Sequence, residues 1–141
     1  MIELAAIPRE SVDVMWPIVS PGIEKMLKHG IGTHTAESVR QGAIDGDLLL
    51  FVAVREGELE PLATLICSVT VGDRRVFEVG MAWGTQMGEW LDEVFDGLLS
   101  VAIELKCDVV AITGRRGWVK LFKDRGFNEK MVVLTRELNN G

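Results

Sequence analysis

The hydrophobic and polar positions along the chain change period several times, and each change predicts an element. Residues 2–7 form a short apolar run ended by Pro8, which reads as a strand. Ser11 then stands as an N-cap before Val12, Met15, Val19, Ile23, Met26 and Leu27, which keep a helical spacing. Pro17 and the Ser20-Pro21-Gly22 break predict two short helices here, because each proline removes a helix hydrogen bond and clashes with the preceding turn. Thr35 caps another short helix, with Val39 and Ile44 on one side and Asp45-Gly46-Asp47 as its end.

Three strands follow, over residues 48–54, 61–71 and 75–83, with turns at Glu56-Gly57-Glu58 and Val71-Gly72-Asp73. Such short connections make antiparallel neighbours. The strongest periodicity spans residues 87–106, where Met87, Leu91, Val94, Phe95, Leu98, Ala102 and Leu105 form an apolar stripe. Acidic side chains occupy its other side, so this is an amphipathic helix covering a sheet. Residues 109–113 read as a buried strand, parallel to the strand before the helix because the connection is a crossover. A short helix over residues 118–125, Gly126 at a left-handed position and a last strand over residues 131–138 complete the order. The whole predicts one domain over residues 1–141, of α/β (α+β) class, with a mixed, mostly antiparallel central sheet and helices on both faces.

Composition narrows the function classes. The 141 residues are 48% hydrophobic and 26% charged, as expected of a globular domain with its own core. A formal net charge of -6 argues against nucleic acid as a partner, since phosphate contacts need lysine and arginine. Cys67 and Cys107 sit in apolar contexts and read as reduced thiols. His29 and His34 lie in a glycine-rich stretch without the cysteines or carboxylates of a metal site, so no metal is expected. No signal peptide and no apolar run of membrane-spanning length is visible, which points to a protein made in a cytosol.

The stretch from Gly114 to Phe127, GRRGWVKLFKDRGF, carries a resemblance. It is similar to the C-terminal motif of the GNAT acyltransferase superfamily, where a strand ends, a short helix follows and a Gly-Phe pair leads into the last strand. Over nearly its whole length the chain further resembles small GNAT-like proteins of tailed bacteriophages. The matching features are Pro21 with Ile23 to Leu27, Thr35, Gly46, Trp90, Ala102, Cys107 and the Gly-Arg-x-Gly-Trp motif at Gly114 to Trp118.

That resemblance implies a cleft for acetyl-CoA, with the pyrophosphate on backbone N–H groups where the long helix begins. A helix N-terminus has unpaired donors and partial positive charge, which suits an anion. The implied cofactor residues are Met81, Trp83, Gly84, Thr85, Gln86 and Gly88, with Arg115 and Trp118 from the C-terminal motif. Gln86 and Gly88 satisfy the family pattern only in part. No lysine or arginine lies between Trp83 and Glu93, while Glu89, Asp92 and Glu93 crowd the first turns, so the segment reads either as an anion site or as a plain helix start.

The implied chemistry is incomplete. Many GNAT enzymes place a tyrosine acid four residues before the glycine of the Gly-Phe pair; here that residue is Phe122, and the chain has no tyrosine. An asparagine that often touches the pantetheine arm is replaced by Arg115, which donates hydrogen bonds but accepts none. Glu78 is the candidate catalytic base, on the strand over residues 75–83; alternation sets it with Val76 and Gly80, opposite Phe77, Val79 and Met81. Its alternative is a salt-bridged or solvent-facing structural glutamate. Arg115, Arg116, Lys120, Lys123 and Arg125 form either a solvated face or a site for the CoA ribose phosphate or an acidic partner.

Two functions follow as expectations. One is a GNAT-fold phage-type protein that has lost full acetyltransferase chemistry and acts as a virion, assembly or protein-interaction component. It would sit in the host cytoplasm or the particle and bind phage structural proteins or its own copies. The other is an acetyl-CoA-dependent N-acetyltransferase acting on a small amine or a protein amino group.

Overall fold

A computed structural model describes residues 1–30, 32–114 and 117–138. Five strands form one sheet in the order of the chain: β1 (Ile2–Ile7), β2 (Leu49–Arg55), β3 (Ala63–Val71), β4 (Arg75–Gly84) and β5 (Val109–Ile112). The first four are antiparallel neighbours and β5 joins β4 in parallel, as the short turns and the long crossover require. Helices α1 (Val12–Leu27) and α2 (Ala36–Asp45) cover one face; α3 (Met87–Glu104) and α4 (Gly117–Lys123) belong to the core on the other.

Each face has its own apolar layer. On one, Val12, Val19, Ile23 and Met26 of α1 and Val39 and Ala43 of α2 pack with Leu50, Val52 and Ile66 of the sheet. On the other, Trp90, Leu91, Val94, Phe95, Leu98 and Ala102 of α3 pack with Phe51, Leu65, Cys67, Phe77 and Val79. Alternate residues of a strand point to opposite faces, so β2 and β3, covered on both sides, are apolar at nearly every position. At the start of α2, Thr35 accepts from the Ser38 N–H at 3.1 Å while Ser38 accepts from the Thr35 N–H at 2.9 Å. Arg40 of α2 pairs with Asp13 of α1 and with Glu37, and its guanidinium holds the Glu37 carboxyl below its ordinary value.

The structure corrects two expectations. The two short helices are one continuous helix, α1, with Pro17 and Pro21 inside it. Both prolines lie on the exposed face, four residues apart, so the carbonyls they free can bond to water. The buried stripe opposite holds the helix together. The predicted last strand is absent: residues 131–138 lie outside the sheet and are exposed. An extended segment becomes a strand only when a neighbour completes its ladder, and the ladder of β5 is shared with β4 alone. Ser11 does occupy the N-cap position of α1, but its side chain makes no cap bond.

Cys67 is buried, and burial pushes its thiol up to about 12 from 9.0. Between those two values the unfolded chain gives up a proton that the folded chain keeps. Stability therefore falls as pH rises from 9.0 towards 12, by about 1.4 kcal/mol per pH unit at the steepest. Urea melts at a series of alkaline pH values should show this slope, and a Cys67→Ala chain should lack it.

Candidate active site

The centre of interest is where β4 and β5 part. Their pairing runs from Val76↔Val109 to Val79↔Ile112, and the Thr113 N–H still donates to the Val79 carbonyl at 3.0 Å. Beyond Val79, β4 continues to Gly84 paired with β3 only. A wedge thus opens between residues 80–84 and the chain leaving β5 at Thr113 and Gly114. Open α/β sheets bind ligands beyond the carboxyl ends of parallel strands, and this is such an end.

A β-bulge marks the same point. Cys67 is opposite Val79 and Ile66 is opposite Met81, so Gly80 is an extra residue on β4. A bulge bends its strand and shifts the alternation by one. Phe77 and Val79 face α3, whereas Met81 and Trp83 face α1. This corrects the expected alternation: past the bulge, Met81 joins the face of Glu78 rather than that of Phe77.

Glu78 is half-buried on the α1–α2 face, and among the described residues its carboxylate has no ion-pair partner. The salt-bridged alternative therefore has no support among these residues. Trp83 is also on the α1 side, where it stacks on His29 with ring centroids 6.4 Å apart and lies under the Lys25 ammonium at 5.4 Å. It packs under the end of α1 and walls a cavity of about 360 Å³ between α1, Leu62, Thr64 and Thr85. Trp83 and Thr85 line that cavity, and neither Glu78 nor Gly88 does.

The start of α3 is built by its tryptophan. Trp90 is 2% exposed, and its indole N–H donates to the Thr85 carbonyl at 2.7 Å, drawing the turn onto the core. A Cβ on Gly84 would stand 2.6 Å from the Trp90 ring and 3.1 Å from the Leu62 carbonyl oxygen. The missing side chain of Gly84 therefore serves packing rather than the approach of a ligand. Gly88 is different, since a Cβ there would meet nothing within 4 Å. Gln86 takes a left-handed conformation, φ 53°, at the N-cap of α3. Among the described residues, the N–H groups of Met87 and Gly88 have no protein acceptor.

The sequence hides one residue of this turn. Arg55, from the end of β2, reaches α3, where its guanidinium pairs with Glu89 and donates to the Gln86 side chain at 3.3 Å. The acidic first turn is thus partly neutralised by a cation more than thirty residues away. Only the sheet order, which brings β2 close to the end of β4, could have revealed it.

In the C-terminal motif, Trp118 lies against Gly114, where an added Cβ would be 3.0 Å from its ring. Phe122 is 6% exposed in a cluster with Trp118, Phe95 and Phe127, the inward packing its helix face predicts. Arg125 pairs with Asp92 of α3, so it is not a free member of the basic cluster; Lys120 and Lys123 are exposed. Arg115 and Arg116 lie outside the described residues. Among the described residues no group of three histidine, cysteine or acidic side chains could hold a metal, and no helix is long and apolar enough to cross a membrane.

No protein-family model and no curated protein matches the sequence. Solved structures do match. The chain is similar to a ribosomal-protein-alanine N-acetyltransferase from Brucella melitensis biovar Abortus 2308, with TM-score 0.70, 12% identity and coverage of 99% of this chain and 100% of that one. It is similar to a glucosamine-6-phosphate N-acetyltransferase from Arabidopsis thaliana, with TM-score 0.65, 12% identity and 99% of each chain covered. It is similar as well to an aminoglycoside N-acetyltransferase in complex with CoA, with TM-score 0.66, 10% identity, and 97% of this chain and 95% of that one covered. The chain has the GNAT acetyltransferase fold, mixed and mostly antiparallel, as its sequence predicts.

Proposed function

We propose that this protein is an acyl-CoA-dependent N-acyltransferase that works without a tyrosine acid. The observation that carries the reading is the wedge itself: the bulge at Gly80 and the parting of β4 from β5 after Val79 leave an open end of the sheet. The turn beside it suits a pyrophosphate. The free N–H groups of Met87 and Gly88 point to an anion, the space before Gly88 is open, and Arg55 offsets Glu89. Gln86, Thr85, Met81, Trp83 and Trp118 would line or support the approach to this turn, and Arg115 is the further candidate for a phosphate.

Bound acyl-CoA supplies a thioester carbonyl for an amine to attack. Glu78 would take the proton from the incoming amine, directly or through water, since its carboxylate is accessible and not committed to an ion pair. Phe122 cannot donate a proton to the departing sulfur, so that proton would come from solvent. The acceptor is a small amine or a protein amino group.

A second reading keeps the fold and drops the chemistry: a phage virion or assembly component that docks on another protein, in the host cytoplasm or the particle. It is favoured by Phe122, which puts an aromatic core residue where the acid stands in many GNAT enzymes. Thermal melts with acetyl-CoA separate the two. A binder gains about 2.7 kcal/mol at a hundredfold excess over Kd. Unchanged melting at millimolar acetyl-CoA would leave the second reading standing.

A further inference from the structure

The cavity of about 360 Å³ beside Trp83 combines an apolar floor with two unlike charges. Ile18 of α1, Leu62 and Ala63 where β3 begins, and Trp83 of β4 supply the apolar surface. Thr64 adds a hydroxyl and is itself only 2% exposed. A Cβ on Gly22 would stand 2.9 Å from that hydroxyl oxygen, so α1 lies close over the inner end of the recess. Pro17, Pro21 and Pro61 form part of the wall. Their backbone is already fixed, so this part of the wall loses little freedom when a ligand enters. Ligand sites usually run from about 300 to 1,000 Å³, and this recess stands at the small end of that range.

The charges come from different elements. Lys25 of α1 holds its ammonium over the Trp83 ring, 5.4 Å from the centroid. Glu60 comes from the connection between β2 and β3. Both are exposed, and among the described residues neither enters an ion pair, with the other or with any third group. A cation and an anion therefore stand apart over one apolar floor.

We propose that this recess binds a small apolar α-amino acid, with its side chain on the floor, its carboxylate at Lys25 and its ammonium at Glu60. A purely apolar molecule would leave both charges unused. A simple anion would meet repulsion from Glu60, and a simple cation from Lys25. A residue inside a peptide carries neither backbone charge, whereas a free amino acid carries both at one end and its apolar body at the other. Thr85 lines the recess and also forms the turn before α3, where its N–H donates to the Leu62 carbonyl at 2.9 Å. An occupant would thus touch that turn. The proposed contacts are all present without acetyl-CoA, so the inference stands apart from the acyl-transfer reading.

Titration of the full chain with L-leucine, without acetyl-CoA, tests it by calorimetry and NMR. Binding should saturate at millimolar L-leucine and shift the methyl signals of Ile18 and Thr64. Glycine lacks the apolar body and should bind about tenfold more weakly or worse. Lys25→Gln and Glu60→Gln should each weaken L-leucine about two- to fivefold, since both charges are exposed. Isocaproate, which lacks the amine, should bind Glu60→Gln no worse than the unmodified chain. Isoamylamine, which lacks the carboxylate, should bind Lys25→Gln no worse. Absence of saturable binding at millimolar L-leucine would overturn the proposal. So would methyl shifts confined to other parts of the fold, equal affinity for glycine, or an affinity that neither charge variant changes.

Discussion

Trp90→Ala is expected to lower the stability of the fold by about 3–5 kcal/mol, the range for truncating a large buried aromatic. For a domain of this size that is a fall in Tm of roughly 10–20 °C. Three losses combine. The ring leaves a cavity between α3 and the sheet, where Leu62, Ala63 and Leu65 lose a neighbour in the same layer. The indole N–H no longer reaches the Thr85 carbonyl. Gly84 no longer has the ring against it. A partner experiment sharpens the claim. Gly84→Ala alone should cost about 1–3 kcal/mol, because its Cβ would stand 2.6 Å from the Trp90 ring. In the Trp90→Ala background the same change should cost less, yet still something, because Ala63 and the Leu62 carbonyl remain close. Chemical denaturation of the four chains gives the coupling energy, and simple additivity would contradict the packing described.

The thermal effect has a functional side. Thr85 and Gln86 form the turn on which an anion would rest, and Trp90 fixes the first of them from beneath. Scaffold and site are therefore joined at one residue. A chain could keep this tryptophan purely for its core and retain the anion-binding turn with it, which is why a GNAT-like turn is weaker evidence for activity than for fold.

Much of this architecture is legible in the sequence because it rests on local rules. The stripe from Met87 to Leu105 gives α3, Thr35 and Gly46 bracket α2, and short polar turns order β2, β3 and β4. Gly126 takes the left-handed conformation expected of it, φ 85°. Where the reading fails, a non-local contact decides. Pro17 and Pro21 break a helix only if their turns cannot be held elsewhere, and the buried face of α1 against the sheet holds them. The strand over residues 131–138 has the right residues, but pairing belongs to two segments at once and no single segment determines it. Gly80 carries a local signal: a glycine within a strand often marks a bulge, and here it sets the side on which Met81 and Trp83 emerge. Arg55 carries no local signal, since its role exists only after β2 and α3 have come together.

Glu78→Gln is expected to reduce acyl transfer by about 10²–10⁴-fold, the usual worth of a general base, while leaving the affinity for acetyl-CoA within a factor of two. The split follows from the geometry. Glu78 lies before the bulge, within the span where β4 is still paired with Ala111 of β5, whereas the turn at residues 85–88 lies beyond the far end of β4. On the proposed mechanism, removing one negative charge at Glu78 would act on the proton and not on the phosphates. Glutamine keeps the size and shape of the side chain, and Glu78 makes no ion pair among the described residues for the change to break, so an unchanged melt would separate loss of activity from loss of fold. Arg55→Ala should do the reverse: Glu89 loses its ion-pair partner beside the free N–H groups of Met87 and Gly88, and affinity for acetyl-CoA should weaken while turnover at saturation is retained. Titration calorimetry and a thiol-release assay on the two variants measure both quantities. If Glu78→Gln turns over as fast as the unmodified chain, Glu78 is not the base, and the desolvation of the amine in the wedge would have to supply the rate alone.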